Sequence, residues 1–210
     1  LGLAAAALAA GVRIFEASRV TALNDEGGSV TARTARGSVR ADQAIVGADS
    51  WSGEILPSLI SNTVAIMNYN VATAPLGLTA NLLLPSDAAV ADSRFVLNYF
   101  RLSADGRMIF GGGEKYSPRP PRDVAAFVRK HMLQVFPSLD GVAIDYAWGG
   151  AVSVTMNRLP YFGRQGNIWF AHGFSGHGAL ITTLAGELIV EAMRGTVERF
   201  DVMANLPHPR

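Results

Sequence analysis

Apolar and polar residues alternate with period two over residues 19–23, 29–35 and 37–40, around the run Asn24-Asp25-Glu26-Gly27-Gly28. Period two sends successive side chains to opposite faces of a sheet, and the run supplies turn formers, so a small antiparallel meander is expected. Two shorter apolar runs, 12–16 and 43–46, lack alternation and read as buried strands. Longer β-rich stretches follow at 62–73, 94–102, 107–112 and 143–155, and Asn167 to Ala171 form another apolar strand. The pattern changes to a helical period over residues 122–135, which stops before Pro137 and sets Val124, Phe127, Val128 and His131 near one face. It is helical again over residues 178–194. There Leu180, Leu184 and Leu188 recur beside Ile181, Ala185, Ile189 and Met193, opposite a stripe of Thr183, Glu187, Glu191 and Arg194, which predicts one broad buried face. Gly186 within that helix is expected to mark tight packing by a strand or ligand, and Gly195 to end it. Leu159-Pro160-Tyr161-Phe162-Gly163 reads as a turn, and Gly111-Gly112-Gly113 as the end of a strand, in a turn or substrate wall.

Helices near both ends and a mainly antiparallel middle predict a mixed α/β (α+β) fold with a ligand-binding layer and an antiparallel substrate layer. The division expected is 1–61 for a partial ligand layer with the meander, 62–155 for the antiparallel layer with one helix, and 156–210 for a return to the first layer. The opening LGLAAAALAAGVRIF reads as the second half of a helix entering a strand, and NLPHPR closes in a proline-rich loop, so both ends are expected to be cut from a larger fold.

Apolar residues make up 49% of the 210, enough for a sizeable core. Eighteen basic and seventeen acidic residues leave a net charge of +1, with no basic footprint for nucleic acid and no need for a membrane span. With no cysteine, disulfides, thiolate metal sites and cysteine nucleophiles are excluded within these residues, and a cytoplasmic setting is expected.

The densest chemical signal is HGFSGHG at 172–178, between an apolar strand and an apolar helix. Three glycines allow close approach of backbone to a ligand, and the helix that follows points free N–H groups and its positive dipole end at that turn. An anionic or electron-rich ring edge would be stabilised there; an ordinary glycine-rich strand-to-helix turn is the bland alternative. The spacing is not the Gly-x-Ser-x-Gly elbow of a serine hydrolase. His172 and His177 lie five residues apart without a neighbouring Cys or carboxylate cluster, so no metal site is expected. No GxGxxG follows a strand in the first hundred residues.

Taken in order, GVRIFEASRVTAL, VGADSW, VLNYFRLSADGRMIFGGG, WGGAVSVTMNRLPYFGR and HGFSGHG resemble the FAD-dependent amine and amino-acid oxidoreductases of the D-amino-acid-oxidase type, most similarly the γ-glutamylputrescine oxidoreductase branch. The resemblance covers the middle and carboxyl-terminal part of such an enzyme, without the amino-terminal βαβ unit that grips the ADP half of FAD. It implies oxidation of a C–N bond of a small amine or amino acid, with hydride passing to the flavin and an imine left for water to hydrolyse. It also implies a partial Rossmann-like FAD layer, and an inactive chain unless the missing amino-terminal part or a partner subunit completes it. The rival reading is a noncatalytic fragment or binding subunit that cannot hold FAD alone.

Position by position, the resemblance places Arg19-Val20 at the adenine, and Gly47, Ala48, Ser50 and Trp51 beside the pyrophosphate and ring system. It places Gly173, Phe174, Ser175, Gly176, His177 and Gly178 under the pyrimidine edge of the flavin, with His177 as the residue that hydrogen-bonds ring or substrate. Arg101 matches an arginine that holds a substrate carboxylate, with Tyr99 lining the same pocket. A surface arginine paired with Asp105, and a core tyrosine, are the plain alternatives. Where relatives acting on simple α-amino acids carry a further arginine after Trp-x-Gly, this chain has Ala151-Val152-Ser153, which favours an amine whose carboxylate lies farther off. Asn157 stands where many relatives have aspartate.

Overall fold

The computed structural model describes residues 2–117 and 119–208. In chain order these form α1 (Gly2–Ala9), β1 (Val20–Asp25), β2 (Val30–Thr34), β3 (Gly37–Ala41), β4 (Ala44–Val46) and β5 (Thr63–Thr73). Then come α2 (Thr79–Leu83), β6 (Val90–Ala91), β7 (Tyr99–Leu102), β8 (Met108–Lys115) and α3 (Val124–Val135). The last elements are β9 (Ile144–Thr155), β10 (Tyr161–Gln165), β11 (Ile168–His172), α4 (Gly178–Met193) and α5 (Glu198–Ala204). The mixed α/β class expected from the sequence is the one adopted. The chain folds as two compact units, the first built from residues up to Ser61 with Tyr161–His172 and Thr182–Pro207, the second from Asn62–Pro160 with Gly173–Ile181.

The first unit holds two three-stranded sheets, β1-β2-β3 and β10-β11-β4, the second with a parallel β11·β4 pair. Val30, Val46, Leu56, Leu59, Ile168 and Phe170 close the core between them. Asp25 at the end of β1 joins the meander to the β10–β11 turn. Its carboxylate accepts the Asn167 backbone N–H at 2.6 Å, the Gly27 N–H at 2.9 Å and the Asn167 side-chain amide at 3.1 Å. Those donors, the Asn167 backbone N–H first, hold the Asp25 carboxyl below its ordinary range.

In the second unit all five strands are antiparallel in the order β6-β7-β8-β5-β9, and α3 covers one face. Asp123 caps α3 by accepting the Ala126 N–H at 2.8 Å. Val128 and Met132 on the helix are fully buried against Tyr69, Val71, Met108 and Phe110 of the sheet. Successive β5 residues alternate, so Tyr69 and Val71 face this core while Asn68 and Asn70 face away from α3.

Several local expectations are revised. Residues 12–16 form no strand, and Val12, Ile14 and Phe15 are 52%, 48% and 63% exposed. An isolated extended segment cannot satisfy its backbone, and no ladder reaches this one among the described residues. The predicted 159–163 turn is instead the start of β10, with Phe162 buried between strand pairing to β11 and the ring of Phe200 at 6.1 Å. The left-handed turn comes earlier, at Arg158 (φ +62). Only Tyr99–Leu102 of the 94–102 stretch is a strand. On α4 the buried residues are Ala185, Leu188, Ile189 and Ala192, a narrower stripe than the leucine repeat predicts, and Leu180 is 82% exposed. Gly186 has open space around it rather than a close neighbour among the described residues. Gly195 does end α4: at φ +102 it donates to Ala192 O while Thr196 N–H reaches Glu191 O, the paired bonds of a Schellman stop.

Candidate functional site

The glycine-rich 172–178 turn is built by three residues of the second unit in the left-handed region, Gly173 (φ +67), Ser175 (φ +52) and Gly176 (φ +91). Phe174 between them is buried and bridges Val154 at the edge of β9, and Ser175 N–H donates to Ser153 O at 3.0 Å. The two glycines are required for different reasons. A Cβ on Gly173 would stand 2.7 Å from Thr155 Cγ2 and 3.2 Å from Thr63 Cγ2, whereas a Cβ on Gly176 would meet nothing and only its φ is restrictive. Ser175 Oγ donates back to Gly173 O at 3.2 Å. His177 is exposed, its N–H bonded to Phe174 O at 2.9 Å, and its own carbonyl accepts from Leu180 and Ile181 at 3.3 Å as α4 begins at Gly178. His172 belongs to the other unit, 1% exposed, its ring 5.3 Å from that of Tyr161.

The 47–51 segment lies in the first unit. Val20 is half-buried at the start of β1, and Arg19 pairs with Glu54. Gly47 is exposed and Ala48 half-buried; then Asp49 (φ +42) opens a 3-10 turn over Asp49–Glu54. Ser50 Oγ donates to Asp49 Oδ2 at 3.3 Å, and Trp51 is 63% exposed. Ser52 is fully buried, and its Oγ has no hydrogen-bond partner among the described residues.

Tyr99 and Arg101 alternate with Phe100 and Leu102 on β7, so both lie on the sheet face away from α3. The Tyr99 ring lies across β8 over Gly111, where a Cβ would stand 2.1 Å from Tyr99 Cζ, and its hydroxyl donates to Asn68 Oδ1 on β5. Burial pushes the Tyr99 phenol above its ordinary range. Arg101 is exposed, with Nε donating to Leu102 O at 3.1 Å. Asp105 pairs with Arg107 at 2.6 Å, so the expected alternative of an Arg101–Asp105 pair is not formed. The Gly111-Gly112-Gly113 run lies inside β8, not at its end; Gly112 and Gly113 (φ +76) together oppose Tyr69 as a bulge.

Residues that the sequence reading passed over complete this face. Asn70 Nδ2 donates to Asn68 Oδ1 at 3.3 Å. Register sets Asn70 between Gly111 and Trp148, and Asn68 between Glu114 and Gly150. Burial holds the Glu114 carboxyl above its ordinary range, partly offset by Arg158. Two asparagines at i and i+2 in a strand that is otherwise largely apolar were the available signal, since asparagine is disfavoured in strands unless a polar role holds it there. The 173–178 turn sits at the Thr63 end of β5, and seven residues, about 23 Å at the usual rise, separate Thr63 from Asn70. Among the described residues no helix is long and apolar enough to cross a membrane.

Residues 1–192 match the family model described as FAD dependent oxidoreductase (DAO). The chain is 41% identical over 201 residues to gamma-glutamylputrescine oxidoreductase of Escherichia coli (strain K12), covering 94% of this chain and 47% of that protein. It is 37% identical to a probable oxidoreductase, OrdL, of Haemophilus influenzae, covering 100% of this chain and 49% of that one. The chain thus spans about half the length of the curated relatives it matches. Among solved structures, glycine oxidase from Bacillus cereus superposes with TM-score 0.76 at 19% identity, over 93% of this chain and 55% of its own. L-proline dehydrogenase from P. horikoshii gives 0.74 at 21% identity, over 90% and 53%. These two likenesses show the fold. The family match over most of its length and the sequence identity to its relatives make this chain a member of the DAO family of FAD-dependent oxidoreductases.

Proposed function

We propose that the full-length protein oxidises a C–N bond of a small amine that also carries a carboxylate, with γ-glutamylputrescine or a close analogue as substrate. The observation that carries this reading is the sheet face away from α3, where Tyr99 and Arg101 stand beside the Asn68–Asn70 pair on a single antiparallel layer. The substrate name is supported by the relative that is 41% identical. In this reading residues 62–155 form the substrate layer, and residues 1–61 and 156–210 the flavin layer.

The residues present fit FAD. A turn with three left-handed residues leads into the amino terminus of a sixteen-residue helix, and the buried Ser52 Oγ stands directly after Trp51, the last residue of the other segment proposed for the cofactor. Gly173–Gly178 would hold the pyrimidine edge, Gly47–Trp51 the pyrophosphate side and Val20 the adenine. Bound FAD supplies the hydride acceptor. The chain's own part is to orient the substrate: Arg101 turns its guanidinium to the carboxylate as a two-pronged donor, Tyr99 walls the pocket, and His177 donates or accepts a hydrogen bond at the ring or the substrate.

The test is the visible spectrum of the full-length protein. It should carry the oxidised-flavin band near roughly 450 nm, and anaerobic γ-glutamylputrescine should bleach it. A colourless protein, or a yellow one that no carboxylate-bearing amine bleaches, overturns the proposal.

A further inference from the structure

On the face of β5 away from α3, two carboxamides form the floor of a small polar site. Asn70 is flanked by Gly111 on β8 and Trp148 on β9, and Asn68 by Glu114 on β8 and Gly150 on β9. Gly111 leaves room for the Tyr99 ring to cross β8 and reach Asn68, and a Cβ on Gly150 would meet nothing within 4 Å. The site therefore has an aromatic ring on each side, a dipolar floor and one carboxylate. Among the described residues no hydrogen bond or ion pair holds the Glu114 carboxylate. Arg158 acts on it only at longer range, with its guanidinium stacked 4.7 Å from the centroid of the Phe95 ring.

We propose that Glu114, with Asn68, Asn70, Tyr99 and Trp148, binds the ammonium end of an extended amine substrate. The proposal rests on the amine-oxidising reading and adds the residue that reads the substrate's positive end. A half-buried carboxylate loses solvation without a compensating partner, and an arriving ammonium restores it. Asn68 Oδ1 already accepts from Tyr99 and Asn70 and fixes their orientation, the Asn70 oxygen supplies a further acceptor for the ammonium N–H groups, and an indole face attracts a cation. Oppositely charged ends are then read at separate points. The Arg101 row meets β5 at Ala72 and the Glu114 row at Asn68, four residues or about 13 Å apart along the strand. That spacing selects a substrate stretched along the sheet, with carboxylate and ammonium at opposite ends, over a short α-amino acid whose two charges are on one carbon.

Equilibrium dialysis of the full-length protein under anaerobic conditions, with 8-aminooctanoate and octanoate as probes, tests this without requiring turnover. The two differ only in the terminal ammonium. The wild type should bind 8-aminooctanoate about ten- to a hundred-fold more tightly, the range for a partly buried charge pair. Glu114→Gln should abolish that preference while octanoate affinity and flavin content stay unchanged, and Glu114→Asp should keep part of it. Equal binding of the two probes by the wild type, failure of both to bind, or a preference that survives Glu114→Gln overturns the proposal. Bleaching of the flavin by γ-glutamylputrescine is read separately, so the amine-oxidising reading can stand while this inference falls.

Discussion

Replacing Gly111 by alanine tests whether the position is held by backbone or by the Tyr99 ring. A Cβ built there would lie 2.1 Å from Tyr99 Cζ, 2.3 Å from Cε2 and 2.4 Å from the hydroxyl oxygen. Ordinary carbon contacts need about 3.5 Å or more, so the ring must leave its place over β8 and break its hydrogen bond to Asn68. Overpacking of this kind costs about 1–3 kcal/mol, the lost hydrogen bond included within that range. The backbone itself should welcome the change, because alanine is favoured over glycine inside a strand by about 0.5–1 kcal/mol. The double-mutant cycle separates the two effects. In wild-type background Gly111→Ala should destabilise by the full overpacking cost; in a Tyr99→Ala background it should be neutral or slightly stabilising. Thermal melts of the four full-length proteins read the stability, and kcat/KM for the amine should fall in Gly111→Ala because a wall of the proposed pocket has moved. An equal cost of Gly111→Ala in both backgrounds would refute the steric argument.

Four further outcomes follow from the same geometry. Gly176→Val should lower bound flavin about tenfold or more, since a branched residue at φ +91 is strained by about 1–2 kcal/mol and intrudes where the backbone is proposed to face the ring; an unchanged flavin-to-protein absorbance ratio would count against it. Arg101→Ala should reduce kcat/KM for carboxylate-bearing amines far more than for simple diamines, with only partial rescue by lysine, and equal losses on both would assign Arg101 to the fold. Gly195→Ala should destabilise by about 1–2 kcal/mol and lower Tm by several degrees, because its φ of +102 closes the Schellman stop of α4; an unmoved melt would contradict that. For Asp25, whose carboxyl is held low by the Asn167 N–H, stability is contributed above its unfolded pKa and is lost as pH falls through the folded one, so the melting difference between wild type and Asp25→Asn should close on acidification. A difference constant with pH would exclude the linkage.

Elements whose signals are local were legible in the sequence. The meander follows from alternation around a turn rich in asparagine, aspartate and glycine; α3 from helical spacing that stops before Pro137; and the stop of α4 from a single glycine. Elements decided by distant partners were not. Residues 12–16 are as apolar as a buried strand, yet a strand exists only where a neighbour supplies a ladder. Pro160 and Gly163 suggested a turn, but pairing of Tyr161 with His172 and of Phe162 with Ala171 draws that segment into β10. The short α5 carries no strong periodic pattern, and Phe200 is held by Trp169, whose ring lies 5.1 Å away. In each case tertiary contacts outweigh local propensity.

The same distinction runs through the site. HGFSGHG announces itself because glycine density is visible along the chain, although only the fold distinguishes Gly173, crowded by two threonine methyls, from Gly176, restricted by its φ alone. The Asn68–Asn70–Glu114–Trp148 face depends on register between strands that are 46 residues apart for Asn68 and Glu114 and 78 apart for Asn70 and Trp148. A slip of one residue in either pairing would turn those side chains to the α3 side, and no local pattern encodes that choice. What fixes it is the apolar set on the other face: Tyr69, Val71, Met108 and Phe110 must all meet α3, and their burial leaves the intervening amides and the carboxylate on the side proposed for substrate. The polar site is thus positioned by the hydrophobic core behind it, so core substitutions on β5 that shift register should disturb substrate recognition before they disturb flavin content.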